Sequence, residues 1–150
     1  NFKSYSFHIL FPFILYINSS SYPEVSIVSK SLLYIYYTGY NIFSNFIYEK
    51  GNYTHYRNTK ADLDAIDYKP VLVSNIIIQY TDNQKGIVNL YELGHGKGIL
   101  FCGGKAIDIE WESDGVSPIK ITDTKGNDVT LLEGKVWWVI LNKNCQLSYN

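Results

Sequence analysis

Residues 98–111 read GILFCGGKAIDIEW. Two runs rich in apolar and β-prone residues flank the pair Gly103-Gly104, and both glycine positions tolerate positive φ. A Gly-Gly pair between such runs is a strong signal for a two-residue hairpin turn. The stretch therefore predicts two antiparallel strands, Gly98–Cys102 and Lys105–Trp111.

Similar turn signals punctuate the chain on both sides of this hairpin. Val71–Tyr80 (VLVSNIIIQY) is a near-continuous apolar run, typical of a strand that is buried on both faces. Further strands are predicted at Tyr40–Tyr48, Tyr53–Tyr56, Ile87–Leu93, Ile119–Asp123, Asp128–Leu132 and Lys135–Leu141. Thr59–Tyr68 fits a helix or an extended loop, which Pro70 ends. The sequence thus predicts a mostly β fold: an antiparallel sandwich or coiled sheet built from consecutive hairpins, with little helix.

The chain of 150 residues has the usual size of one domain. We predict a single β-rich domain over residues 24–150, preceded by an atypical apolar segment over residues 1–23 that packs on it. Within this segment Phe7–Ile17 is an apolar run broken by Pro12. It is shorter than the roughly 20 residues of a membrane-spanning helix. The alternatives for it are a buried helix or strand, a contact with a neighbouring domain, and a retained targeting segment.

The charge pattern argues against nucleic acid as a partner. The formal net charge is −1, the lysines are spread along the chain, and Arg57 is the single arginine. A face that binds nucleic acid needs clustered basic residues to neutralise phosphates. The abundance of Tyr, Ile and Val is instead typical of half-buried β surfaces.

Asp62, Asp64 and Asp67 form the densest group of carboxylates. A calcium loop needs acids at alternate positions, a central Gly and a closing Glu. This stretch lacks the Gly and has Val73 in place of the Glu. We therefore predict a solvated turn or a helix cap rather than a metal site, and no residue pattern in the chain implies a cofactor.

Gly94–Gly98 (GHGKG) is the most unusual stretch. Backbone N–H groups of a glycine-rich loop can cradle a phosphate, but that mechanism needs a helix after the loop, whereas Ile99–Cys102 is β-prone. No Ser or Thr follows Lys97 to bind magnesium. We predict a sharp inter-strand bend or bulge here, with His95 and Lys97 as candidate ligand-binding residues.

The two cysteines, Cys102 and Cys145, are too few for a disulfide scaffold and lack the spacing of a zinc site. They are either unrelated free thiols or one disulfide, which would need an oxidising compartment. Cys102 shares a strand face with Leu100. It therefore fits a small core residue as well as a nucleophile paired with His95.

The tryptophans are the remaining candidates for a binding surface. Trp137 and Trp138 are adjacent, so they point to opposite faces of one predicted strand. Trp111 ends its strand beside Glu110 and Glu112. Exposed aromatics beside acids can bind carbohydrate or peptide, and core packing is the alternative. Trp111 and Trp138 are therefore candidate ligand-binding residues.

Between about residue 24 and residue 141 the order of predicted elements carries a series of short motifs. Its members are Gly39–Ile42, Tyr53–Asn58, Asn75–Gln79, Gly94–Gly98, Gly104–Ile107, Ile109–Trp111, Asp123–Asn127 and Glu133–Trp137. The series resembles the C-terminal part of the YerB-like lipoproteins, a family of secreted, lipid-anchored proteins of Gram-positive bacteria whose function is not established. The resemblance implies an extracytoplasmic domain and supplies no activity. Asp64 falls where the family carries an Asp, which makes it a further candidate ligand-binding residue. Asp62 and Cys102 depart from the family pattern.

These features together predict a non-enzymatic, extracytoplasmic domain of the cell envelope with a binding or structural role. Its expected partner is a cell-wall glycan, a peptide or an envelope protein. The aromatic-rich β surface, the near-neutral charge, the lack of a catalytic constellation and the resemblance all favour this hypothesis. The alternative is a hydrolase or transferase that acts on the cell wall through Asp64, His95 or Cys102. That alternative requires the three side chains to lie in one cleft.

Overall fold

The structure is a computed structural model that describes residues 32–37, 42–81, 94–142 and 147–150. Within these ranges the chain forms eleven β-strands and no helix, which confirms the predicted mostly β fold. The strands are β1 (Leu32–Tyr37), β2 (Ile42–Glu49), β3 (Asn52–Arg57), β4 (Lys60–Ala61), β5 (Leu72–Val73), β6 (Asn75–Thr81), β7 (Gly94–Cys102), β8 (Lys105–Ser113), β9 (Lys120–Asp123), β10 (Val136–Asn142) and β11 (Leu147–Tyr149). The apolar segment over residues 1–23 and the predicted strand Ile87–Leu93 lie outside the described residues. The described ranges contain no helix with the length and apolar character of a membrane span.

The first sheet has the strand order β11-β1-β2-β3-β4, and β5 also pairs with β3. All of its pairs are antiparallel. β2 and β3, predicted as the strands Tyr40–Tyr48 and Tyr53–Tyr56, form a hairpin around Lys50-Gly51, where both residues have positive φ as a type I′ turn requires. Residues 62–71 form a loop rather than a helix. The Tyr68 N–H donates to the Asp64 carbonyl at 3.0 Å and closes that loop.

The second sheet has the strand order β10-β6-β7-β8-β9. Its pairs are antiparallel except that β10 runs parallel to β6. A parallel pair needs a crossover connection, and the segment between β9 and β10 crosses one face of the sheet. Val129 and Leu131 of that segment pack on an apolar cluster around Leu100. The Asn75 side chain exchanges two hydrogen bonds of 2.9 Å with the backbone of Leu132 and fixes the crossover.

The two sheets pack face to face around a shared apolar core. The first sheet contributes Leu33, Ile35, Phe46, Tyr53 and Val73, and the second contributes Ile76, Ile78, Phe101, Val139 and Leu141. On the face of β7 that is turned to this core, Ile99 and Phe101 are covered while His95 and Lys97 are exposed. The first sheet therefore covers only the C-terminal half of β7 and leaves the N-terminal half open.

The predicted Gly103-Gly104 turn is confirmed, and it also joins the two sheets. Both glycines have positive φ, 58° and 74°. The Gly104 N–H donates to the Tyr53 hydroxyl at 3.0 Å, and a Cβ on Gly104 would lie 2.6 Å from Cε1 of Tyr48. Burial raises the pKa of Tyr53 to about 12, so its hydroxyl is neutral. Glycine is thus needed here both for the turn and for the close approach of the first sheet.

β7 pairs with β8 without interruption and has positive φ only at its first residue, Gly94 (114°), so the bend or bulge predicted at Gly94–Gly98 is wrong. Its nine residues all pair in register with β8. A Cβ on Gly96 would lie 2.7 Å from Nε1 of Trp111, and a Cβ on Gly98 would meet the backbone oxygen of Ile78. The glycines alternate along the strand because one face of β7 must leave room for its neighbours.

Candidate functional site

A groove opens at the end of β8, where the first sheet no longer covers the second. It encloses about 300 Å³, at the lower end of the range for small-molecule sites. Its lining is polar and charged. We call it the β8–β9 groove, and its lining residues are Gly94, His95, Glu112, Ser113, Asp114, Ser117, Pro118 and Lys120.

Three exposed side chains stand in a row across the β8–β9 groove. His95 is the register partner of Glu112, and Glu112 is the register partner of Lys120. Directly opposed residues of antiparallel strands point to the same face, and neighbouring strands lie about 4.8 Å apart. No ion pair joins the three side chains within the part of the chain that the structure describes. Their charged and ionisable groups therefore remain open to a ligand.

A tight turn after β8 forms the rim of the groove. One oxygen of Asp114 accepts hydrogen bonds from the backbone N–H groups of Val116 at 2.8 Å and Ser117 at 2.7 Å. The other oxygen accepts from the Ser117 hydroxyl at 2.8 Å. These hydrogen bonds, the one from the Ser117 backbone above all, lower the pKa of Asp114. The Asp114 carboxylate thus stays ionised and holds the rim in one conformation.

The sequence-predicted polar candidates lie in different parts of the fold. His95 lines the groove, and Lys97 is exposed two residues further along β7, opposite Glu110. Asp64 lies in the 62–71 loop of the first sheet, where its side chain accepts the Ile66 N–H at 2.8 Å. That arrangement is a solvated turn, one of the two alternatives predicted for the aspartate group, whereas Asp62 of that group binds His55 and Arg57 instead. Within the described ranges, no three His, Cys, Asp or Glu side chains are grouped as metal ligands.

The two candidate tryptophans use their indole N–H groups inside the domain. Trp111 is 5% exposed, and its N–H donates to the Tyr80 carbonyl at 3.1 Å. Trp138 is half-buried, and its N–H donates to Oε1 of Gln79 at 2.9 Å. Trp138 packs on the cluster beneath the crossover, away from the core side of the sheet. In this structure both rings support the second sheet, and neither one lines the β8–β9 groove.

Cys102 and His95 are too far apart to act on one substrate atom. They lie seven residues apart on β7, which corresponds to about 23 Å in an extended strand, and the odd spacing places them on opposite faces. Cys102 is half-buried and is not bonded to another cysteine among the described residues. Cys145 lies outside the described residues, so the disulfide between the two stays a prediction.

A buried polar network at the edge of the core was not suggested by the sequence. His55 is 1% exposed. Its Nδ1 lies 2.9 Å from Oδ2 of Asp62, and its Nε2 lies 3.1 Å from the Ser44 hydroxyl. Arg57 donates to the same oxygen of Asp62 at 3.1 Å. Both ring nitrogens of His55 are therefore satisfied.

The environment of His55 keeps its ring neutral. The ring stacks on Trp137 with centroids 4.3 Å apart, and Phe46 lies on it at 4.8 Å. Burial lowers the pKa of His55, and the Asp62 carboxylate opposes part of that shift. The neutral ring then donates from Nδ1 to the carboxylate and accepts at Nε2 from Ser44, since a carboxylate can only accept.

The Ser44–His55–Asp62 order resembles a nucleophile, a base and an orienting acid, but the exposure is reversed. A serine nucleophile must face its substrate while the acid is buried behind the base. Here Ser44 is 9% exposed, whereas the Asp62 side chain is 28% exposed and pairs with Arg57. The network therefore stabilises the fold rather than presenting a nucleophile.

Comparison with known proteins connects the chain to one family. A family model described as "Protein of unknown function (DUF3048) C-terminal domain" matches residues 33–138. A search of curated proteins finds no match. The crystal structure of the YerB protein from Bacillus subtilis aligns with a TM-score of 0.61 and 21% sequence identity, over 79% of this chain and 44% of the YerB chain. This chain thus spans less than half the length of the solved relative.

The structural alignment shows a shared fold, and the family match covers most of both sheets. It ends at Trp138, within β10. The resemblance to the C-terminal part of the YerB-like proteins is therefore confirmed. The chain belongs to the family of the DUF3048 C-terminal domain, whose function is unknown.

Proposed function

We propose that this domain is a non-enzymatic, extracytoplasmic binding module of the cell envelope, and that the β8–β9 groove holds its ligand. The observation that carries the proposal is the row of His95, Glu112 and Lys120, which is exposed and forms no ion pairs among the described residues. The sequence resemblance to secreted lipoproteins supports the location. The ligand we propose is cell-wall material.

The alternative of a cell-wall hydrolase or transferase has less support. Its three candidate residues lie in separate places: Asp64 in a loop of the first sheet, and His95 and Cys102 near opposite ends of β7. General acid–base and nucleophilic catalysis need their groups within hydrogen-bond reach of one another or of one substrate. A binding role does not require these three side chains to lie close together.

Cosedimentation with Gram-positive cell walls tests the proposal. We expect the chain to sediment with the walls and a Glu112→Gln, Lys120→Ala double variant to lose at least tenfold in affinity, because the variant removes the negative and the positive charge of the exposed row. Lys105→Ala is the matched control, since Lys105 is an exposed lysine at the other end of β8. Equal binding by the double variant and the control would contradict the assignment of the groove.

A structural role is the second candidate, and an exposed apolar loop favours it. Leu63 is 52% exposed, Ile66 91% and Tyr68 75%, all in the 62–71 loop. Apolar groups grouped on a surface often mark a docking site. The partner we propose is another domain of a longer family protein. The test compares amide hydrogen exchange of the equivalent loop in whole YerB and in its isolated C-terminal part. Slower exchange in the whole protein would support this role, and equal exchange would argue against it.

A further inference from the structure

We infer that the β8–β9 groove recognises a short zwitterionic peptide, whose terminal ammonium and terminal carboxylate lie close together, rather than a sugar ring. The inference rests on the proposed binding function and specifies its ligand. In this arrangement the Glu112 carboxylate accepts hydrogen bonds from the ammonium of the ligand. The Lys120 ammonium donates hydrogen bonds to the carboxylate of the ligand.

The spacing of the row supports this ligand. Glu112 and Lys120 are direct register partners on adjacent strands, so their backbones are about 4.8 Å apart. They place a negative and a positive group side by side on one exposed face. A short zwitterion carries its two charges at a similar separation. His95, on the other side of Glu112, adds a ring nitrogen that can bond to either group of the ligand.

The rim of the groove is fixed before any ligand arrives. The three hydrogen bonds accepted by Asp114 hold the turn that carries Ser117, and the Ser113 hydroxyl accepts the Gly115 N–H at 3.2 Å. A wall that is already ordered loses little conformational entropy when a small ligand binds. Because the Asp114 carboxylate is engaged within the turn, Glu112 is the acid that remains open to an ammonium.

The lining does not suit a sugar ring. Among the described residues, the lining consists of glycine, histidine, serine, proline and charged side chains, with no Trp, Tyr or Phe. The nearest tryptophan in sequence, Trp111, is buried on the opposite face of β8. A groove without a broad aromatic surface favours a ligand that binds through charge.

A titration followed by NMR tests the inference. The ¹⁵N-labelled chain is titrated with the dipeptide Ala-Ala, with its N-acetylated and C-amidated forms, and with tri-N-acetylglucosamine. We expect Ala-Ala to shift the backbone amides of residues 94–96, 112–117 and 120. Blocking either end should weaken binding at least tenfold, and the sugar should cause no shifts in the groove.

Two variants assign the charges. Glu112→Gln should weaken Ala-Ala binding at least tenfold, and N-acetylation of the dipeptide should then cause no further loss. Lys120→Ala should also weaken binding at least tenfold, and C-amidation should then cause no further loss. Lys105→Ala should bind as the unmodified chain does. Amide shifts that are spread outside the groove, or equal affinity for free and blocked dipeptides, would overturn the inference.

The cosedimentation assay separates this inference from the proposed function. If walls bind through the groove but only the sugar trimer shifts its amides, the peptide assignment is wrong and the binding function stands. If neither walls nor dipeptides bind to the folded chain, both are wrong.

Discussion

His55 is a titratable side chain inside an apolar core, and its protonation must affect stability. Burial lowers the pKa of His55 in the folded chain, so the unfolded chain binds a proton at a higher pH than the folded chain does. The contribution of neutral His55 is fully present above the unfolded pKa of about 6.5. It decreases as the pH falls from there toward the lower, folded value.

We therefore predict that the urea midpoint decreases between pH 7 and pH 5.5. One proton limits the slope to about 1.4 kcal/mol per pH unit. His55→Asn should remove this slope, and His95→Ala, which changes an exposed histidine, should keep it. Asp67, Asp114 and Asp123 have lowered pKa values, so their contributions are lost only at more acidic pH. A flat midpoint in the unmodified chain would contradict this account.

The sequence did not predict this network because its members meet only through strand register. His55 and Asp62 lie on either side of a two-residue turn between β3 and β4, and Ser44 reaches the ring across the β2–β3 pair. A histidine at a core-facing strand position with an acid one hairpin away is the signal that could have indicated it. The tyrosine spacing around His55 indicated only a strand.

At the scale of one element, the glycines of β7 predict how alanine substitutions change the free energy of unfolding. Gly98→Ala should destabilise the chain more than Gly96→Ala, because its new Cβ meets the backbone oxygen of Ile78, whereas the Cβ at Gly96 meets the Trp111 side chain. A side chain can move more readily than a backbone, so about 1–3 kcal/mol is expected for Gly96→Ala and more for Gly98→Ala.

Urea unfolding of the two variants measures this order. Lys97→Ala lies between them on the exposed face and is the control, with an expected change within about 0.5 kcal/mol. The reverse order, or no effect from either glycine variant, would show that β7 tolerates side chains on that face.

Elements were predictable where local chemistry decides them. The Gly103-Gly104 turn and β10, which was predicted over Lys135–Leu141, followed from turn propensity and apolar runs. Asp128–Leu132, predicted as a strand, is part of the crossover and keeps only one bridge, between Thr122 and Asp128. The glycine-rich run was mistaken for a bend because the space it provides is filled by Trp111, which lies fifteen residues beyond Gly96 in the sequence. Such cross-strand fits are invisible to local patterns.

At the scale of the whole molecule, the core shared by the two sheets predicts cooperative unfolding. Since side chains of both sheets meet around Phe46, the described strands should unfold in one cooperative transition. Phe46→Ala should lower the free energy of unfolding by about 3–5 kcal/mol. Ile66→Ala, at a 91% exposed position, should change it by no more than about 0.5 kcal/mol.

Tryptophan fluorescence and far-ultraviolet circular dichroism, recorded together during urea unfolding, provide the test. Coincident curves in the unmodified chain and in Phe46→Ala are expected. Separate transitions would mean that the two sheets are independent units.

The candidate site was predictable only in part at this scale. His95 was singled out from the glycine-rich run, and it does line the groove. Glu112 and Lys120 were missed as partners because their positions depend on the pairing of β8 with β9. Trp111 was proposed as a binding residue, but whether a tryptophan beside acids faces the solvent or the core depends on what its strand packs against, and here it packs inward.

The central claim is that the domain binds cell-wall material without cleaving it. The most direct test incubates the folded chain with labelled, digested Gram-positive cell wall and records both bound label and newly formed reducing or amine ends. We predict bound label that is lost in the Glu112→Gln, Lys120→Ala variant, with no new ends above background. New ends that depend on the chain would contradict the claim, and so would a failure of the folded chain to retain any label.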